Sequence, residues 1–212
     1  MGLGSKLIGR LFAGQLFQPR GFVGRLTGRS LARRNMESND WTVSLLDIQP
    51  NDRVLEVGFG PGLAVRSAAK LASQGFVAGI DHSETMVREA GKLNAQGIQS
   101  GRIELKKADV SSIPYNDDSF DKVFAVNVIY LWPDLEKTVR ELGRVLRPGG
   151  LLALYLAPRE LIDKLALGRS PLFTIYAADD VVQVLRDARF TNIAVETRTL
   201  PEGIARCVLA RK

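Results

Sequence analysis

The sequence predicts an α/β fold: a doubly wound sheet of seven strands, mostly parallel with an antiparallel last strand, and helices on both faces. Three observations predict it. From Asn39 onward, short apolar runs alternate with amphipathic stretches of helical period, the pattern of a parallel sheet whose strands are buried on both sides. The last two apolar runs are joined by a short Pro-Glu-Gly connection, far shorter than the crossover of about a dozen residues that a parallel pair needs. Directly behind the first run stands "GFGPG", a strand-to-helix turn rich in the one residue without a β-carbon.

Taken in order, "WTVSLLDI" reads as a helix, "DRVLEVG" as a buried strand, "GLAVRSAAKLA" as a helix, "FVAGID" as a strand and "SETMVREAGKLNAQ" as a helix. The strands "RIELKKA" and "FDKVFAV" follow, then the helix "DLEKTVRELGRVL", the turn "RPGG" and the strand "LLALYLA". The helix "ADDVVQVLRDA" and the strands "TNIAVETR" and "IARCVLA" complete the pattern. No internal repeat interrupts it.

At 212 residues, 45% hydrophobic and 25% charged, the chain can bury one substantial core. Its single cysteine, Cys207, and single histidine, His82, cannot assemble a thiolate or imidazole metal site, so no metal is expected. No apolar stretch reaches the roughly 18 residues of a membrane span. A cytoplasmic protein is expected, with membrane-surface association or a mitochondrial location as alternatives.

Those alternatives come from the N-terminal segment. Lys6, Arg10, Arg20, Arg25, Arg29, Arg33 and Arg34 precede Glu37, the first acidic residue. The net charge of +6 therefore belongs to this segment, and the rest of the chain gives no reason to expect nucleic-acid binding. Leu7, Ile8, Leu11 and Phe12 recur at helical spacing around Lys6 and Arg10, which reads as a basic amphipathic helix. Residues 1–38 are assigned as a basic helical cap or lid, and 39–212 as the ligand-binding body. A membrane-surface helix and a mitochondrial presequence are the competing readings, while Lys6 stands where a myristoylation signal has Ser or Thr. Gly14, Gly21, Gly24 and Gly28 break the segment into pieces, which suits a cap better than one long helix.

The glycine turn points to a nucleoside. In an open parallel sheet, ligands lie at the carboxyl ends of the strands, where the first strand-to-helix turn approaches them. Gly58, Gly60 and Gly62 fall on alternate positions there, and Asp81 ends the next strand, where a ribose diol needs an acceptor. A dinucleotide site asks for a third glycine where this chain has Leu63. The G-x-G-x-G spacing behind Glu56 instead resembles the first motif of class I S-adenosylmethionine-dependent methyltransferases. "DHSETMVREA", "KADVSSIPYNDDSFDKVFAVNVIY" and "RVLRPGG" extend the resemblance from Val54 to Tyr155. It implies a Rossmann-like fold and S-adenosylmethionine as cofactor.

The resemblance also implies roles. Glu56 and the turn Gly58-Phe59-Gly60-Pro61-Gly62 would hold the methionine end of the cofactor. Asp81 would take the ribose hydroxyls, His82 and Met86 would lie near the adenine, and Asp109 and Val110 would meet its amine and ring. Past the fourth strand, Asn127, Tyr130 and Trp132 are the candidates facing the transferring methyl, with Asn127 shared with the cofactor. The Asn/Asp-Pro-Pro-Tyr motif of members that methylate planar amines is missing here. The expected acceptor is therefore a small, partly apolar molecule, as in the branch resembling ubiquinone and menaquinone methyltransferases. Phe17, Phe22, Met36 and Trp41 could close over it. The oligomeric state is left open. Rival readings are a non-catalytic cofactor-binding protein and a nicotinamide-dependent oxidoreductase.

Overall fold

The computed structural model describes residues 36–164 and 173–212. All seven expected strands are present: β1 (Arg53–Val57), β2 (Phe76–Asp81), β3 (Ile103–Lys107), β4 (Phe120–Val126), β5 (Leu146–Leu156), β6 (Thr191–Leu200) and β7 (Gly203–Arg211). They form one sheet in the order β3-β2-β1-β4-β5-β7-β6. Pairing is parallel from β3 across to β5. β7 alone runs the other way, antiparallel to β5 on one side and to β6 on the other. The order reverses beside β1, where β2 and β4 flank it, so a crevice opens at the carboxyl ends of β1 and β4.

Helices follow the strands as the apolar periodicity requires. They are α1 over 36–45, α2 (Leu63–Leu71), α3 (Glu84–Leu93), α4 (Ala95–Gln99), α5 (Leu135–Val145), α6 (Arg159–Lys164) and α7 (Ala178–Asp187). The alternation of strand side chains divides the core into two layers. Val54, Phe124 and Tyr155 pack with Val43 and Leu46 and with Val65 and Ala68 of α2. Leu55, Val123 and Leu154 face the opposite way, toward Val139 and Leu142 of α5 and Val181 and Leu185 of α7. In α5 the start is fixed by Asp134, whose carboxylate accepts from the Lys137 amide at 2.8 Å. Leu135, Val139, Leu142 and Val145 then return to one buried face every three or four residues.

Local departures from expectation have local causes. The helix expected over 83–96 breaks at Asn94, which ends α3 and precedes α4. "RPGG" lies inside β5, where the pairing slips between Phe120 and Lys122 and Gly149 takes φ +76°. α1 ends before Asp47, whose φ of +47° turns the chain toward β1; it runs through positions 38 and 39. Residues 1–35, with Phe17 and Phe22, lie outside the described residues. Among the described residues no helix is long and apolar enough to cross a membrane.

The core makes a stability prediction. Leu142 is fully buried between α5 and the sheet, so Leu142→Ala should cost about 2–5 kcal/mol of unfolding free energy, read as a lower urea midpoint at unchanged slope.

Candidate active site

The turn after β1 is held from both sides. The Gly58 amide donates to the Ile80 carbonyl at 2.8 Å, and the Gly62 amide donates to that of Phe59 at 2.9 Å. A β-carbon on Gly58 would lie 2.7 Å from Val128 Cγ1, and one on Gly62 would lie 2.7 Å from Ala90 Cβ. Phe59 is buried, its ring so close to Gly79 that a β-carbon there would meet Cδ1 at 2.6 Å. All three glycines take a positive φ, +73°, +52° and +81°, but Gly60 differs in that a β-carbon there would meet nothing within 4 Å. The two outer glycines thus serve packing, and the middle one presents bare backbone to open space.

Two buried carboxylates stand at the same edge. Glu56 is 3% exposed, and its pKa is raised well above the ordinary 4.5, first by desolvation and also by the nearby Asp81 charge, against a bond from the Val65 amide of α2. Its Oε2 is buried without a hydrogen-bond partner. Asp81 is raised too, again by burial first, although Oδ1 accepts from the Ser83 amide at 2.8 Å and Oδ2 from the Gly60 amide at 2.9 Å. Asp81 thereby ties the end of β2 to the glycine turn.

The adenine-side candidates surround that tie. His82 Nδ1 lies 3.8 Å from Asp81 Oδ1. Asp109, past the end of β3, is held below the usual aspartate range, first by the Ser111 amide, which donates to Oδ1 at 2.8 Å, and also by the nearby His82. Val110 follows it, partly buried against the α5 layer. Met86 is buried in the opposite layer with Phe59 and Ala90, its amide donating to the Ser83 hydroxyl that caps α3.

Past β4, Asn127 takes a left-handed φ of +58°, uncommon for a residue with a β-carbon. Its Oδ1 accepts from the Tyr130 hydroxyl at 3.0 Å, across a 3₁₀ turn at Ile129–Leu131. Burial, then the neighbouring Tyr155, raises the Tyr130 pKa, so this phenol stays protonated and donates. Trp132 is buried in the α5 layer, and its carbonyl accepts from the Tyr176 hydroxyl at 3.1 Å. The structure therefore brings Asn127 and Tyr130 together past the end of β4, with Trp132 buried in the same layer as Tyr130. Ser83 and Asn94 were not singled out by the sequence, although each is a residue that favours helix ends.

These residues fit the cofactor that the resemblance implies. A buried, unpartnered carboxylate oxygen suits an ammonium, and the open face of Gly60 leaves room for a ligand against the backbone. Fold and site together define a doubly wound α/β protein with a buried carboxylate pair and an open glycine turn at the carboxyl edge of its sheet. Comparison with known proteins carries this further. A family described as a methyltransferase domain matches residues 55–154. The chain is 33% identical to YrhH of Bacillus subtilis, a methyltransferase by assignment only, over 74% of this chain and 78% of the relative. It is 29% identical to YdaC of the same organism, an uncharacterised methyltransferase, over 88% of this chain and 98% of the relative. A SAM-dependent methyltransferase from Aquifex aeolicus superposes with a TM-score of 0.67 at 23% identity, covering 84% of this chain and 92% of that one. The chain belongs to the class I S-adenosylmethionine-dependent methyltransferases, and its cofactor is S-adenosylmethionine.

Glu56 sets a pH dependence with a definite sign. Because its folded pKa is raised, the folded state holds this proton more tightly than the unfolded chain does. That contribution is fully present below about 4.5, the unfolded value, and is lost as pH rises through the raised native value. Urea unfolding of Glu56→Gln across this range should show the variant gaining stability relative to the wild type as pH increases; a constant difference would contradict the desolvated carboxyl.

Proposed function

We propose that this methyltransferase acts on a small, partly apolar molecule, methylating it by in-line SN2 attack. The observation that carries the reading is the carboxyl-edge crevice, where the unpartnered Glu56 oxygen and the open Gly60 backbone lie one strand away from Asn127, at the end of β4. S-adenosylmethionine supplies an activated methyl group on a sulfonium, so the protein has chiefly to align the acceptor and exclude water.

In this reading Glu56 accepts from the amino end of the cofactor, while Gly58, Phe59, Gly60 and Gly62 offer backbone. Asp81 accepts from the ribose, with lone pairs beyond those engaged by Gly60 and Ser83. His82, Met86, Asp109 and Val110 border the adenine. Asn127 presents its side chain at the junction of cofactor and acceptor, and the Tyr130 hydroxyl orients that amide. Tyr130 acts as wall and donor, since its raised pKa removes it as a base; a proton released by the acceptor passes to water. Trp132 backs the wall. Half-buried Val128 and Leu131 give this side the apolar character assigned to the acceptor.

Residues 1–38 serve as lid and 39–212 as the catalytic body. Support comes from Ser38 and Trp41, at the root of the segment. Ser38 donates to the Tyr155 hydroxyl at 2.9 Å, and Trp41 meets the Tyr155 ring edge-on with centroids 6.0 Å apart. Tyr155 pairs with Val126, the residue before Asn127.

The direct test is transfer of labelled methyl from S-adenosylmethionine into a metabolite extract. A labelled small product is expected, and label appearing only in protein or nucleic acid would overturn the reading. Asp81→Ala should lower S-adenosylmethionine affinity at least about tenfold, through loss of charge-assisted bonds, with unchanged calorimetric affinity as the contrary result. Deleting residues 1–34 should leave S-adenosylhomocysteine affinity within a few-fold and reduce turnover much more. Unchanged turnover with lost binding to anionic vesicles would instead make the segment a membrane anchor. If neither changes and the segment alone carries a reporter into mitochondria, it is a presequence.

A further inference from the structure

Asn94 stands between two helices, where an asparagine ordinarily caps the second by accepting from one of its first amides. It does not do so here: no side-chain bond caps α4. The side chain turns back instead, and Nδ2 donates to the Gly62 carbonyl at 3.1 Å and to the Ala90 carbonyl at 2.9 Å. Oδ1 is left buried and without a partner. Burying an unpaired amide oxygen is costly, and the reverse orientation would set that oxygen against two carbonyls. Both donors are thus committed to joining α3 to the glycine turn.

The contact is close as well as polar. A β-carbon on Gly62 would lie 2.8 Å from Asn94 Nδ2 as well as against Ala90. Gly62 holds φ +81° as the residue before α2, and its carbonyl also accepts from the Arg66 amide at 3.2 Å. Asn94 therefore grips the peptide from which α2 starts. At the opposite end of α3, Asp81 accepts from both Ser83 and Gly60. The ten-residue helix spans about 15 Å and is bonded to the turn near each end, through Asp81 to Gly60 and through Asn94 to Gly62.

We propose that Asn94 is a positioning residue for the cofactor. By fixing the far end of α3 to Gly62, it sets through the helix the orientation of the α3 start, which takes the adenosine end, relative to the glycine turn, which takes the methionyl end. The inference rests on the cofactor assignment above. A ligand that spans both parts depends on their relative orientation, whereas a ligand confined to the adenosine side does not.

Two ligands separate this role from general stabilisation. S-adenosylhomocysteine spans both parts, and 5′-methylthioadenosine lacks the amino-acid end. Calorimetry on Asn94→Leu should show S-adenosylhomocysteine affinity reduced about tenfold or more, with 5′-methylthioadenosine affinity within about twofold of the wild type. Asn94→Ser keeps a shorter donor and should fall between; if the leucine variant does not fold by thermal melting, the serine variant carries the same comparison. Equal losses for both ligands, or no loss for either, would overturn the positioning role. A wild-type protein that fails to bind S-adenosylhomocysteine would instead overturn the cofactor assignment, and that shows before any substitution is made.

Discussion

The narrow passage from β1 to α2 is the constraint on which the rest of the molecule depends. Val128 closes in on Gly58, Ala90 and Asn94 close in on Gly62, and Phe59 fills the space over Gly79. Three separate elements therefore meet the turn, and none leaves room for a side chain at the two outer glycines. Only Gly60 faces outward. The turn cannot shift without moving its neighbours, and its amides are already engaged, those of Gly58 and Phe59 with the Ile80 carbonyl, Gly60 with Asp81 and Gly62 with Phe59, so the turn is held rigidly beside the crevice.

That rigidity gives meaning to the two acidic groups beneath it. Burial raises both Glu56 and Asp81, but their surroundings differ. Asp81 is satisfied by two amides from different elements, which makes it part of the scaffold before any ligand arrives. Glu56 has help from the Val65 amide and keeps one oxygen without a partner. An unpaired buried acceptor raises the energy of the free protein, and a cation that reaches it removes that cost. The two carboxylates thus divide the work, one shaping the site and the other left open to it.

Much of this was legible in the sequence because it depends on local pattern. The alternation of apolar runs and amphipathic stretches located all seven strands, and "FDKVFAV" matches β4 residue for residue. The positions of Glu56, Gly60 and Asp81 at one edge follow once the first two strands are parallel neighbours. The separate reasons for three glycines were not legible, since Val128 and Ala90 approach from distant parts of the chain. Nor was the bond from Asn94 to the Gly62 carbonyl, since the two residues are 32 apart in the chain.

The reversed strand has a kinetic meaning. β6 is synthesised before β7, yet it joins the sheet only through β7, which lies between it and β5. Most of β6 is exposed, so little apolar burial holds it anywhere until that partner exists. Its hairpin with β7 is local and can close within microseconds, whereas the union of β7 with β5 brings together residues such as Tyr155 and Cys207 and carries the larger loop-closure cost. On a ribosome the parallel strands can therefore pair in order as they emerge, and the last two strands must wait to dock as one prefabricated hairpin.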